Sequence, residues 1–174
     1  MNRPAERANS RGIEFEEQGS HAEAETAYRK AAALDPSWSV PWFNLGLLAK
    51  RQRRWADSIE HNRRATQLDP TQQGAWWNLG IGSTALGNWQ GARHAWNACG
   101  IEVPPGDGPL RMNLGLVPIR IASNGEVLWC DRIDPARAIV RSVPLPESER
   151  GYGDLLLHDG AANGWRQYNS QQVP

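Results

Sequence analysis

The 174-residue sequence contains no run near the roughly 20 apolar residues that span a bilayer. Its first residues, Met1, Asn2, Arg3 and Pro4, open a polar stretch without the apolar centre of a secretory signal. Cysteine is scarce. Cys99 and Cys130 lie in different segments and form no CxxC pair, which argues against a disulfide framework and a zinc knuckle. An excess of either charge is also missing, because 19 basic residues balance 19 acidic ones. The balance holds on both sides of residue 104, at 12 against 11 and then 7 against 8. A nucleic-acid binder usually carries a basic excess to displace counterions, and this chain has none. Lysine is nearly absent, with only Lys30 and Lys50, a bias that reads as genomic, bacterial-like composition. What remains is the expectation of a folded, cytoplasmic protein with neither nucleic acid nor membrane as its partner.

What is present is a period. Ala33, Leu34, Asp35 and Pro36 are matched 34 residues later by Gln67, Leu68, Asp69 and Pro70, and Pro104 follows at the same interval. Trp42, Phe43, Asn44, Leu45 and Gly46 are echoed by Trp76, Trp77, Asn78, Leu79 and Gly80. Trp42, Leu45 and Ala49 stand three and four apart and make one apolar helical stripe. Gly46 and Gly80 let a second helix come close. Trp55, Ser58, Ile59, Asn62 and Ala65, then Trp89, Ala92, Trp96 and Cys99, mark those second helices. Gly87 suits the turn inside a pair, and each of Pro36, Pro70 and Pro104 is expected to stop a helix.

This pattern resembles the tetratricopeptide repeat (TPR) family, W-x2-L-G-x2-Y … A-x3-F … P on a 34-residue period. The resemblance covers residues 5–104 and implies an α+β chain in two parts. The first part is a right-handed helical solenoid of six helices in three antiparallel pairs, with repeats at 5–38, 39–72 and 73–106. Repeat one departs at its front, where Ala8 and Arg11 replace Trp and Leu, but Gly12, Phe15, Gly19, Ala24, Tyr28, Ala31 and Pro36 fit. Its polar first helix, with Glu6, Glu14, Glu16 and Glu17, reads as a cap. Met112 to Leu116 imitates a fourth repeat, but its phase is off by one and Pro118 would break the helix.

Residues 105–114 read as a linker, rich in proline and glycine. Beyond it the period changes from 3.6 to 2, which predicts a small antiparallel β domain over 115–174. Five short strands are expected, at 116–122, 126–133, 136–143, 153–158 and 165–168, with Asn124 and Gly125 as a two-residue hairpin turn. So small a domain is marginal alone, so it is expected to dock on repeat three and cap it.

No nucleophile elbow, HExxH, P-loop or strand-linked GxGxxG occurs, and no cofactor or metal is expected. His21, His61 and His94 read as solvent-facing residues of second helices. Asp131, Asp134, Asp154, His158 and Asp159 are the catalytic candidates, and each reads more simply as a turn or strand-end residue. Cys130 alternates with Trp129 and reads as packing. Among nine tryptophans, most sit at repeat packing positions, Trp38 falls at an inter-repeat turn, and Trp77 is the exception.

In TPR proteins the first helices line a concave groove, and the resemblance implies which residues form its wall. Repeat one contributes Asn9, Ile13, Glu16 and Glu17; repeat two contributes Phe43, Asn44, Leu47, Lys50 and Arg51. Repeat three contributes Trp77, Asn78, Ile81 and Thr84. Phe43 and Trp77 follow the packing tryptophan by one residue, so they turn about 100° away from it. They read as partly exposed anchors that fill no inter-helix position. Asn44 and Asn78 read as amides for an extended peptide backbone. Lys50, Arg51 and Arg54 read as a basic rim opposite Glu16 and Glu17. The carboxylate clamp of chaperone-tail-binding TPRs is not met, because Ile13, Gly74 and Asn78 replace asparagine, lysine and arginine. The implied function is an adaptor or assembly factor that binds a peptide segment or protein partner. The alternatives are an enzyme or small-ligand protein with its site in the β domain, and an inhibitor or immunity-type binder.

Overall fold

In the computed structural model, residues 2–121, 125–160, 166–168 and 171–173 are described, with side chains described to residue 160. The chain divides into two compact units, residues 1–110 and 111–174.

The first unit holds six helices: α1 Arg3–Glu17, α2 His21–Leu34, α3 Ser39–Arg51, α4 Trp55–Leu68, α5 Gln73–Ala85 and α6 Trp89–Ala98. The Asn2 side chain accepts from the Ala5 amide and caps α1, and Asn88 caps α6 through the Gly91 amide. The three pairs α1–α2, α3–α4 and α5–α6 pack at one equivalent point. A Cβ on Gly12 would lie 2.5 Å from the Tyr28 ring, one on Gly46 2.2 Å from the Asn62 amide, and one on Gly80 2.6 Å from the Trp96 indole. Tyr28, Asn62 and Trp96 are all buried and stand 34 residues apart. Around them Ala24, Tyr28, Leu45 and Leu48 form one core cluster, and Ile59, Leu79 and Ala95 another, with Trp42 and Trp76 at their edges.

Each intra-pair turn ends on a left-handed residue at the same phase: Gly19 (φ 75°), Arg53 (φ 59°) and Gly87 (φ 68°). The bonds repeat too, from the Ser20 amide to the Phe15 carbonyl, Arg54 to Ala49 and Asn88 to Ser83, at 2.8–2.9 Å. Arg53 accepts the steric cost that glycine avoids at the other two turns. Pro36 and Pro70 follow α2 and α4 closely, but Pro104 does not stop α6. That helix ends at Ala98, with Cys99 as its C-cap, because Gly100 turns left-handed (φ 79°) and the Ile101 amide closes back on the Trp96 carbonyl. The chain after α6 is also held in place. Arg93 Nε donates to the Pro104 carbonyl at 2.9 Å, Gln90 to Asp107 at 3.2 Å, and the Val103 amide to Asn97 at 3.4 Å.

The second unit contains β1 Leu116–Arg120, β2 Val127–Arg132, β3 Arg137–Val140 and β4 Leu155–Leu157, then β5 Arg166–Tyr168 and β6 Gln171–Val173. β1 to β4 form one antiparallel sheet in sequence order, and β5 pairs with β6 in a separate hairpin. Among the described residues six strands therefore replace the five expected, the added one being β6. Asn124 lies outside the described residues; Gly125 has φ 75°, and its amide bonds to the Ile121 carbonyl. β3 is shorter than its alternation suggests, because the Arg141 and Ser142 amides both donate to the Trp129 carbonyl. Two residues opposite one make a bulge that ends regular pairing. One sheet face carries the core: Leu128, Cys130, Ala138, Val140 and Leu156, with Ile119 and Ile121 against them. Pro118, which lacks a donor, sits on the edge strand β1.

Two stability outcomes follow from this packing. Trp96 is completely buried while Trp76 is half-buried. Trp96→Ala is expected to cost about 3–5 kcal/mol and Trp76→Ala about 1–3 kcal/mol in chemical denaturation. Equal losses would show that the Gly80–Trp96 contact is not the tighter joint. Arg53→Gly relieves the left-handed strain and is expected to raise stability by up to about 1 kcal/mol, read as a higher melting temperature. A lower one would mean that the Arg53 side chain contributes more than its backbone costs.

Candidate functional site

The first helices α1, α3 and α5 carry the positions that the repeat phase assigns to one wall. α3 is tied to α1 at two points. Asn44 Nδ2 donates to Asn9 Oδ1 at 2.9 Å, and Arg51 pairs with Glu16. Glu16 also accepts from the Tyr28 hydroxyl at 2.8 Å, so one carboxylate joins α1, α2 and α3. That hydrogen bond and, more strongly, burial push the Tyr28 phenol pKa upward. α5 meets α3 where the Phe43 ring covers Gly74, 3.1 Å from where a Cβ would stand.

The side chains of this wall are less exposed than the phase suggests. Ile13 is 43% exposed, and Phe43, Asn44, Leu47, Lys50 and Trp77 are half-buried. Of the others expected there, Glu17 and Arg51 are exposed and Glu16 is half-buried, while four are closed. Asn9 is buried against Asn44, and Asn78 turns inward, its amide 3.4 Å from Asn62 Oδ1. Ile81 and Thr84 are buried as well. The backbone-reading role assigned to Asn78 is therefore corrected. Its amide serves a buried chain that runs through Asn62 to the Ser58 carbonyl, while the Ser58 hydroxyl bonds the Gly46 carbonyl. Asn44 keeps a half-exposed amide, and no second hydrogen bond engages it among the described residues.

The aromatic anchors need a correction too. Phe43 packs on Gly74, and Trp77 lies edge-on to Trp96 with ring centroids 5.1 Å apart. Both fill inter-helix contacts and are only partly exposed. Nor is the basic rim a row of open cations. Arg51 is paired with Glu16, and Arg54 bonds Glu25 at 2.7 Å and Asp57 at 2.9 Å. Arg29, and Arg54 beside it, hold the Glu25 carboxyl below its ordinary range.

Of the catalytic candidates, Asp134 and Asp159 lie close enough to His158 to act on it electrostatically, while Asp131 and Asp154 are engaged by partners of their own. Asp131 pairs with Arg141 at 2.6 Å, and Asp154 accepts from the Gly151 amide at 2.8 Å. Asp134 is fully buried; its Oδ1 takes the Ala136 and Arg137 amides, and its Oδ2 takes Arg137 Nε at 2.5 Å. Cys130 is buried in the sheet core, and burial pushes its thiol pKa up, away from the reactive thiolate. Of the histidines expected to face solvent, His21 and His94 do. His61 is only 6% exposed, with its ring 6.0 Å from that of Trp42. Helical phase alone does not mark the Trp42 ring as the partner that buries it.

Solved structures share the fold of the helical unit. The first TPR of Spaghetti (RPAP3), bound to HSP90 peptide SRMEEVD, is 21% identical, with a TM-score of 0.54 over 57% of this chain and 79% of that one. The TPR2B domain of yeast Sti1, in a complex with pHsp70, is 19% identical, with a TM-score of 0.52 over 55% of this chain and 77% of that one. The Arabidopsis OM64 TPR domain is 16% identical, with a TM-score of 0.50 over 55% and 83%. No family model and no curated protein matches the sequence. The helical unit thus has the fold of a TPR array, three helix pairs, and is followed by a small antiparallel β unit. Among the described residues, no helix is long and apolar enough to cross a membrane.

His61 supplies a pH test of this packing. Burial, and next the Arg29 charge, lower its pKa from the ordinary 6.5. Between the two values the unfolded chain binds more protons, so stability rises with pH there and is lost as pH falls from about 6.5 toward the folded value. His61→Gln is expected to flatten that part of a stability–pH curve, leaving the share of His158, whose pKa is shifted in the same direction. An unchanged slope would mean that His61 is not held neutral by the fold.

Proposed function

We propose that the chain is a cytoplasmic protein-interaction adaptor that holds an extended, mainly apolar segment of a partner along α1, α3 and α5. The observation that carries this reading is the row of half-open apolar side chains, Ile13, Phe43, Leu47 and Trp77, beside the half-open Asn44 amide. Large apolar groups that are held in place and partly exposed are the usual anchors of a binding surface. An amide beside them can both donate to and accept from a peptide backbone. Two of the similar structures are complexes, one with an HSP90 peptide and one with pHsp70, which supports a peptide- or protein-binding use of this fold. The acidic character of SRMEEVD does not transfer, because Arg51 and Arg54 are already answered by carboxylates.

The test compares the wild-type chain with the double variant Phe43→Ala, Trp77→Ala against a library of extended peptides. Each change removes a half-buried ring, so the double variant is expected to lose about 1–2 kcal/mol of stability per site. Binding is therefore measured well below its melting temperature. Retained helicity with affinity lower by about 30- to 1000-fold is the expected result. A folded double variant that binds like wild type would move the partner site off this wall.

A further inference from the structure

The second unit holds a feature that the groove reading does not use. Arg132 closes β2 on the core-facing side of the sheet, opposite Ala138 of β3, and Ala138 pairs with Leu156 of β4. His158 lies two residues beyond Leu156, so alternation returns it to the same face. Both residues are fastened to consecutive carbonyls of the β2–β3 turn. Arg132 Nη2 donates to Pro135 at 2.7 Å, and the His158 amide donates to Ala136 at 2.8 Å. Arg132 stands opposite Ala138 and His158 bonds to Ala136, and both alanines are small and fully buried.

Two nitrogens here are buried without a hydrogen-bond partner, Arg132 Nε and His158 Nε2. A buried N–H left unmade costs about 1–3 kcal/mol, more on a charged group, so such atoms are normally satisfied. The carboxylates nearby are occupied. Asp134 is used up by Ala136 and Arg137, and Asp131 by Arg141. Arg137 and Arg141 thus each have a carboxylate, whereas Arg132 is bonded to one neutral carbonyl among the described residues. Asp134 acts on this half-buried guanidinium through space, but no carboxylate is hydrogen-bonded to it among the described residues, which leaves its Nε–H for an anion.

We propose that Arg132 and His158 form a binding site for a small oxyanion, a carboxylate or phosphate group, between the end of β2 and the segment after β4. Arg132 Nε–H supplies one donor, and protonated His158 supplies the second through Nε2. The groups around His158 set the pH behaviour. Burial, then Arg132, hold its pKa low, while Asp134, Asp159 and a hydrogen bond with the Arg137 backbone act in the opposite sense. A bound anion adds to the second group, so binding tightens as pH falls through the His158 value.

The experiment follows the histidine Cε1–Hε1 NMR signals of the full-length chain during titration with acetate and, separately, inorganic phosphate at fixed ionic strength. His158→Gln assigns the signal, and His21, His61 and His94 serve as internal controls. The expected result is a saturable shift of His158 alone, with a raised His158 pKa at saturation. The arm that saturates at lower concentration identifies carboxylate or phosphate as the preferred group. Arg132→Gln is expected to weaken the response by about tenfold or more. The proposal is overturned if the wild-type His158 signal moves only linearly, in step with the controls. It is equally overturned if folded Arg132→Gln gives the wild-type titration.

Discussion

The helical unit depends on one steric condition, the absence of a side chain where each first helix meets its second. At Gly12, Gly46 and Gly80 any Cβ would fall within 2.6 Å of a buried Tyr28, Asn62 or Trp96 side chain, closer than packed atoms allow. The three partners differ in chemistry and volume, so the constraint lies on the glycine rather than on what fills the space. Because it recurs every 34 residues, it fixes the phase of everything else. It decides which residue of a first helix faces its own pair and which faces the next repeat. It also decides which residues are left on the wall.

That condition is why the array is legible in the sequence and the site less so. Periodicity reports a residue's direction on its own helix, and Gly12, Gly46, Gly80, Trp96 and the six helices follow from it. Exposure depends on neighbours that periodicity does not see. Asn44 and Asn78 share a phase, yet Asn44 bonds across to Asn9 and stays half-open while Asn78 reaches back to buried Asn62. Ile13 and Ile81 share a phase as well, at 43% and 3% exposed. Helix ends show the same limit. Pro104 keeps the period of Pro36 and Pro70, but Gly100 ends α6 first through its left-handed turn. In the β unit the shortening of β3 comes from two amides sharing the Trp129 carbonyl, a pairing that alternation cannot reveal.

Polar residues inside the array mark where one repeat is keyed to the next. Asn9 with Asn44, and Asn62 with Asn78, place amides at inter-helix contacts that leucine could have filled. An amide is tolerated there only with a partner at the right distance, so it penalises a slipped arrangement more than an apolar side chain would. Glu16 acts similarly at the edge, satisfied at once by Tyr28 of its own repeat and Arg51 of the next. An exposed ion pair adds little stability. Its consequence is to remove two charges from the wall, which makes the surface beside Phe43 and Leu47 more neutral than its composition implies.

The same economy governs the aromatic residues. A flexible exposed ring must be immobilised when a partner arrives, and that ordering reduces the affinity gained from its contact area. Trp77 has already given up that freedom, because its edge-on contact with Trp96 positions the indole as part of folding. Phe43 is held in the same way over Gly74, where the missing side chain leaves room for its ring. The residues best prepared to bind are therefore those that also pack. On the reading proposed above, their effect on stability and their effect on recognition would have one origin, a side chain seated on one face and only partly buried.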